Sequence, residues 1–173
     1  MNEFYESLLK RRTVRAFRPD AIPRETMERL ILAAKYAPSA VGLQQRHFTV
    51  VNSRSLMDDI VSASLKNGAA FVAGHTPFYN APSVVVFSAP EKAKFGRENA
   101  ACAVENFLLA ACSFGLGTCY ICSVLPGLCD PGIMERLKLP AGYVPCGCVS
   151  VGYPAEDAPE PKPRRTDDVT LIP

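Results

Sequence analysis

Apolar positions in this chain recur at two periods, about 3.6 and 2 residues, and the switches between them mark out the elements. Asn2 to Lys10 predicts a short helix with Phe4, Leu8 and Leu9 on one side. A basic loop, Arg11 to Arg18, follows and ends at Pro19-Asp20. Pro23, with Glu25 and Glu28 in the early turns, opens a second helix. Its Met27, Leu30, Ile31 and Ala34 share a face, and Pro38 stops it. His47–Val51 predicts a strand, Ser55–Lys66 a helix and Ser83–Ser88 a buried strand. Asn99–Phe114 is apolar almost all round, which places it in the core or a subunit interface. Gly115-Leu-Gly117 ends it, with Gly115 as a helix C-cap, and a strand at about Thr118 to Cys122 follows. A helix over Pro131–Leu137 and a strand over Val144–Val151 complete the pattern. This order predicts an α+β fold with helices packed on a mostly antiparallel or mixed sheet.

After Tyr153 the texture changes. The last twenty residues hold five prolines and the run Lys162-Pro-Arg-Arg165, with little periodicity. Such a segment cannot bury enough apolar surface to order itself. The expected organisation is therefore one domain over residues 1–153 and a proline-rich tail over 154–173 that either hangs free or lies across another surface, such as a partner subunit.

Composition narrows the classes of function. With 48% hydrophobic and 21% charged residues the chain is globular rather than disordered. A net charge of +2 and arginine clusters without interleaved aromatics argue against nucleic acid. The most apolar stretch carries Glu105 and Asn106 at its centre, so no membrane span is expected. The N-terminus has neither a basic nor an apolar leader region, and the expected location is the cytoplasm. Seven cysteines, an odd number, favour reduced thiols over a disulfide framework.

Four constellations could carry chemistry. Arg11-Arg-Thr-Val-Arg15 offers forked, permanently charged donors and a small hydroxyl suited to phosphate or a carbonyl-rich ring. It could equally be a solvated loop whose charges complement a helix end. Ala37-Pro-Ser-Ala-Val-Gly-Leu-Gln44, before His47-Phe48, is either a small-residue loop that admits a flat ligand or an ordinary helix-to-strand connection. Gly115-Leu-Gly117 ends a helix and opens a strand, the reverse of a dinucleotide fingerprint. Cys119-Tyr-Ile-Cys122 and Cys146-Gly-Cys148 could supply four zinc ligands on paper. Strand alternation, however, sends Cys146 and Cys148 to one face and Cys119 and Cys122 to opposite faces. Lys162-Pro-Arg-Arg165 is a solubilising tail or a second set of phosphate clamps. No catalytic triad, metalloprotease or Walker pattern is present, which suits an enzyme whose chemistry belongs to a cofactor.

Taken together and in order, these segments resemble the nitroreductase family of FMN-dependent α+β homodimers. The resemblance rests on Arg11-Arg-Thr-Val-Arg15 with Phe17, Ala37-Pro-Ser39 with Gln44 and His47-Phe48, and Asn106-Phe-Leu-Leu-Ala-Ala111 leading into Gly115-Leu-Gly117. Gly152-Tyr-Pro154 and Lys162-Pro-Arg-Arg165 close it. It implies that Arg11, Arg12 and Thr13 hold the FMN phosphate and ribityl chain, and that Arg15 sits near the N1–C2 carbonyl edge of the ring. Pro38, Ser39 and Ala40, with Gln44 in the same loop, would come from the other subunit. Ile121, Cys122 and Ser123 would flank the ring, and Lys162 with Arg164 or Arg165 would return to the phosphate. It further implies NAD(P)H as co-substrate and ping-pong hydride transfer to an acceptor such as a nitroaromatic or quinone. The same fold also serves dedicated flavin-fragmenting or dehalogenating reactions, and a flavin-binding protein without turnover is a third possibility. The chain departs from the family at Gly42, Gln45 and Arg46, where Asn, Pro and Trp are usual, and at Cys122-Ser123 beside the ring. These differences touch the substrate more than the flavin.

Overall fold

The computed structural model describes residues 2–71, 75–157 and 160–172, and at Glu3 and Phe4 the backbone alone. The elements run α1 (Glu3–Lys10), α2 (Arg24–Lys35), a 3-10 turn (Ala40–Gly42), β1 (His47–Val51), α3 (Arg54–Lys66) and β2 (Ser83–Pro90). They continue with α4 (Gly96–Ser113), β3 (Gly117–Ile121), α5 (Leu125–Leu128), α6 (Pro131–Leu137) and β4 (Tyr143–Gly152). The expected Phe4 side of the first helix lies outside the described side chains.

The four strands form one sheet in the order β1-β2-β4-β3, with every neighbouring pair antiparallel. The α+β expectation holds, and the sheet is wholly antiparallel. Helices cover both of its faces. On one, Leu30 and Ala34 of α2 and Ala103, Phe107 and Ala111 of α4 pack on Val85, Phe87, Val149 and Val151. On the other, Met57 and Ile60 of α3, Leu128 of α5 and Leu137 of α6 meet Val84, Val86, Cys119, Ile121 and Cys148. Double coverage explains why Val84-Val-Val-Phe87 is an unbroken apolar run where a half-solvated strand would alternate. Phe87 stacks edge-on against Phe107 at 5.7 Å and Phe48 at 5.4 Å between ring centres. Such contacts fix ring orientation as well as burying area.

The junction from α4 to β3 follows from its glycines. Gly115 takes φ +70°, its N–H donates to the Cys112 carbonyl at 3.0 Å, and the Leu116 N–H donates to the Ala111 carbonyl at 2.9 Å. This is a Schellman closure, which needs a left-handed residue just past the helix. Among the elements, the sequence pattern missed the 3-10 turn at Ala40–Gly42, which it left in a loop, and the helix α5. That short helix depends on a tertiary fit, because a Cβ on Gly127 would lie 2.2 Å from both the Ile60 carbonyl oxygen and Ser64 Oγ.

One expectation fails. Cys146 and Cys148 do not share a face, because β4 carries a bulge opposite Phe87 and Ser88, where the register skips Cys146. An extra residue breaks the two-residue period. Cys148 enters the core beneath α3, while Cys146 packs toward α2 and α4.

Candidate functional site

The basic loop leaves α1 and is stitched across the ends of β3 and β4. Thr13 bridges Thr118 in parallel sense, and the Val14 N–H donates to the Thr118 carbonyl at 2.9 Å. Phe17 bridges Pro154, and the Arg18 N–H donates to the Tyr153 carbonyl at 2.9 Å. Val14 and Phe17 point inward against Ala81, so the arginines between and before them are left outward or half-buried. Two glycines permit the approach. A Cβ on Gly117 would lie 2.8 Å from three carbons of Val14, and one on Gly152 would lie 3.1 Å from Phe17 Cδ1 and 2.7 Å from Pro82 Cδ. The Gly-Tyr-Pro mark in the sequence thus serves to seat this loop.

Within the loop the donors have modest local partners. The Arg12 guanidinium donates to the carbonyls of Leu9 and, at 2.8 Å, of Arg11, closing the C-terminus of α1. Arg11 approaches Glu105 of α4 at 3.9 Å, a half-exposed and therefore weak pair. Arg15 is exposed, with its guanidinium carbon 5.9 Å from the centre of the Tyr79 ring.

Beside this loop runs the outer edge of β3. Ile121 turns its side chain into the core, so only its backbone can face a ligand there. Cys122 and Ser123 are exposed beyond the strand end. Tyr120 lies flat on Gly147, where a Cβ would come within 2.7 Å of its ring. Burial, then a hydrogen bond with Cys122, pushes the Tyr120 phenol well above its ordinary value. Burial likewise raises the thiols of Cys119, Cys129, Cys146 and Cys148, with Arg15 partly offsetting it at Cys119. Thiols held protonated are poor nucleophiles. Among the described residues, no group of three or more His, Cys, Asp or Glu side chains is arranged to hold a metal ion.

The second loop lies elsewhere. Pro38, Ser39, Ala40 and Gln44 precede β1, at the opposite edge of the sheet from β3. Three strand spacings, about 14 Å, separate those edges. Within one chain these residues thus adjoin the edge strand β1, and Ile121, Cys122 and Ser123 the edge strand β3. Ser39 Oγ accepts from the Gln44 N–H at 3.0 Å, and Val41 at the tip is 90% exposed. In the tail, Lys162, Arg164 and Arg165 are exposed, and Arg165 grips Asp167 through two bonds of 3.0 and 3.2 Å. The tail cations were expected to return to the phosphate loop; the partner found for them among the described residues is Asp167, which holds Arg165. Val169, Leu171 and Ile172 are 74–89% exposed, an apolar segment left on the surface among the described residues.

Sequence reasoning passed over Asn99, whose Oδ1 accepts the Ala40 N–H at 2.9 Å, and Arg46, which it treated only as a departure. An asparagine in an otherwise apolar helix stretch was the available signal for the first, since buried polar groups are almost always partnered.

These features define an α+β protein with a donor-rich loop pinned along a free sheet edge, suited to an anionic, flat ligand. The chain belongs to the nitroreductase family, whose model matches residues 8–153. A Methanothermobacter thermautotrophicus protein provisionally named NADH dehydrogenase/NAD(P)H nitroreductase is 31% identical over 158 residues, covering 88% of this chain and 78% of that one. The iodotyrosine deiodinase of Haliscomenobacter hydrossis is 28% identical over 194 residues, covering 98% and 87%. The crystal structure of a Bacteroides fragilis nitroreductase with bound FMN superposes with a TM-score of 0.88 at 28% identity, covering 99% of this chain and all of that one.

Proposed function

We propose that this chain is an FMN-dependent oxidoreductase acting as a homodimer, passing hydride from NAD(P)H to an acceptor such as a nitroaromatic or quinone by a ping-pong cycle. The observation that carries the reading is the arginine loop, pinned along the outer edge of β3 at Thr118, with Arg11, Arg12 and Thr13 half-buried and Arg15 exposed. The donor set fits FMN: two guanidinium groups and a hydroxyl at Arg11, Arg12 and Thr13 match one terminal phosphate, and forked charge-assisted bonds to phosphate are among the strongest available. The crystal structure of the Bacteroides fragilis relative contains that flavin.

FMN supplies the hydride chemistry when bound, and the protein's part is binding, orientation and electrostatics. Arg11, Arg12 and Thr13 would hold the phosphate end, and Ile121, Cys122 and Ser123 at the end of β3 would flank the ring. Arg15, exposed beside this edge, would place a fixed positive charge near the ring, which would favour the reduced flavin. Cys119, a buried thiol, is protonated near neutral pH and does not compete for that charge. Pro38, Ser39, Ala40 and Gln44 come from the second subunit, and the tail, residues 154–173, lies across it with Lys162, Arg164 and Arg165 reaching the phosphate. The gap of about 14 Å between the two sheet edges and the exposed apolar end of the tail both support sharing.

The iodotyrosine deiodinase relative supports a second reading, a dedicated reductive dehalogenation on the same scaffold. An absorption spectrum of the purified protein tests the cofactor, with flavin bands at roughly 370 and 450 nm expected, and release and identification should yield FMN and not FAD. NADH and NADPH oxidation with a nitroaromatic, a quinone and a halophenol then separates the acceptors. A colourless protein that ignores added FMN would sink both readings.

A further inference from the structure

The loop that precedes β1 is held in an unusual way. Helix α2 ends at Tyr36 without the left-handed glycine that commonly closes a helix. Backbone N–H groups of Tyr36 and Ala37 and the Asn106 amide meet the carbonyls of Leu32, Ala33 and Ala34, and those of Lys35, Ala37 and Pro38 are left for other donors. Arg46 supplies them from ten residues downstream. Its Nη1 donates to the carbonyls of Ala37 at 3.0 Å and Pro38 at 3.2 Å, and its Nη2 donates to that of Lys35 at 3.2 Å. Burial lowers the guanidinium pKa, yet the group remains charged and sits where the helix dipole favours a cation.

From the other side, Asn99, buried in α4, accepts the Ala40 N–H through Oδ1 at 2.9 Å. The segment Pro38-Ser-Ala40 is therefore held at one end by Arg46, from the far end of the same loop, and at the other by Asn99 of α4. Beyond it the chain takes left-handed angles at Val41 (φ 46°), Gly42 (φ 68°) and Gln44 (φ 53°). A β-branched residue in that region is strained and persists only where its surroundings over-determine it. The strain is located at a tip that makes little use of its own subunit, since Val41 and Leu43 are exposed.

We infer that Arg46 and Asn99 are positioning residues that set the conformation of Pro38-Ser-Ala40 within one subunit for use in the flavin site of the other. The inference rests on the shared-site reading above. Arg46 acts through the loop and touches no reacting atom. A guanidinium is required because three carbonyls must be met by one planar fork, and an ammonium group cannot reach them in the same geometry.

The test is FMN titration of purified dimers by flavin fluorescence quenching, with melting temperature and light scattering measured in parallel. Arg46→Ala and Arg46→Lys should each weaken FMN at least tenfold while the protein stays folded and dimeric. Asn99→Ala should weaken it several-fold, and it carries the comparison if Arg46→Ala fails to fold. Hybrid dimers with differently tagged subunits, one Arg12→Ala and one Arg46→Ala, decide the direction of action. If Arg46 serves the partner's site, one site of the hybrid carries both defects and the other neither, so half the sites should titrate with wild-type affinity. A hybrid in which no site binds like wild type would show that Arg46 serves its own chain. Wild-type affinity in both Arg46 variants would overturn the inference while leaving the flavin reading intact. A wild-type protein that takes no FMN would overturn the flavin reading itself, and the inference with it.

Discussion

Adding one methyl group at Gly117 should loosen both the fold and the arginine loop. The new Cβ would lie 2.8 Å from Val14 Cβ, Cγ1 and Cγ2 at once. Carbon atoms rest at about 3.5–4.0 Å, so Val14 must retreat by roughly 0.7 Å or more. It cannot do so freely, because its N–H is bonded to the Thr118 carbonyl at 2.9 Å, and that retreat would stretch the bond past useful length. Overpacking costs about 1–3 kcal/mol and the lost bond about 1 kcal/mol, giving roughly 2–4 kcal/mol for Gly117→Ala. For a domain of this size that is a fall of roughly 4–16 °C in melting temperature. Thr13 and Arg15 flank Val14, so the displacement also moves the proposed phosphate and ring contacts, and FMN should bind at least about tenfold more weakly, or roughly 1.4 kcal/mol. Thermal melts of the apoprotein and FMN titrations measure the two effects. A double-mutant cycle with Val14→Ala sharpens the test. Shortening Val14 removes two of the three clashing carbons, so it should cost less in the Gly117→Ala background than in the wild-type protein, with a coupling of about 0.5–3 kcal/mol. A Gly117→Ala protein that melts and binds FMN like wild type would refute the claim that this glycine seats the loop.

Arg11→Ala should weaken FMN by about 1.5–3 kcal/mol if its guanidinium makes a charge-assisted phosphate bond, whereas Arg15→Ala should largely spare binding and slow flavin reduction in stopped flow; equal and negligible effects would return both to a solvated loop. The Cys119→Ala, Cys122→Ala double variant should retain flavin and turn over within a few-fold of wild type, losing some stability through the buried Cys119, while stoichiometric zinc in the wild-type protein would contradict this. Stability should be flat from about pH 6 to 8 and fall above about 9. Burial raises Cys119, Cys146 and Cys148 above the ordinary thiol value of 9.0, so the folded state keeps protons that the unfolded chain releases, and the stability present below 9 is lost as pH climbs; Cys148→Ala should flatten that decline in melts taken across the range. Light scattering should give twice the chain mass, and truncation after Tyr153 should weaken both the dimer and FMN retention; a truncated protein that stays dimeric and keeps its flavin would remove the tail from the site.

The amino-acid sequence by itself determined the elements and their order, because periodicity and punctuation are local properties. The Met27, Leu30 and Ala34 stripe, the unbroken valines of β2 and the Gly115 stop each correspond to what those residues do in the folded chain. The ordered basic, small-residue and glycine segments likewise pointed to the family over nearly the whole chain. Tertiary structure decided whatever depended on two distant segments meeting. The bulge that parts Cys146 from Cys148 exists only against Phe87 and Ser88, and α5 only where Gly127 meets α3. Gly117 and Gly152 look like ordinary loop glycines until Val14 and Phe17 are laid on them. Arg46 is a commonplace cation before a strand until the carbonyls of Lys35, Ala37 and Pro38 at the exit of α2 are placed beside it. Strand order did the most, since it put the loop before β1 and the end of β3 at opposite edges of one sheet. Hydrophobic patterning sets which face of a strand is buried and carries no information about which strands are neighbours, so the separation of the two half-sites could emerge only from the assembled sheet.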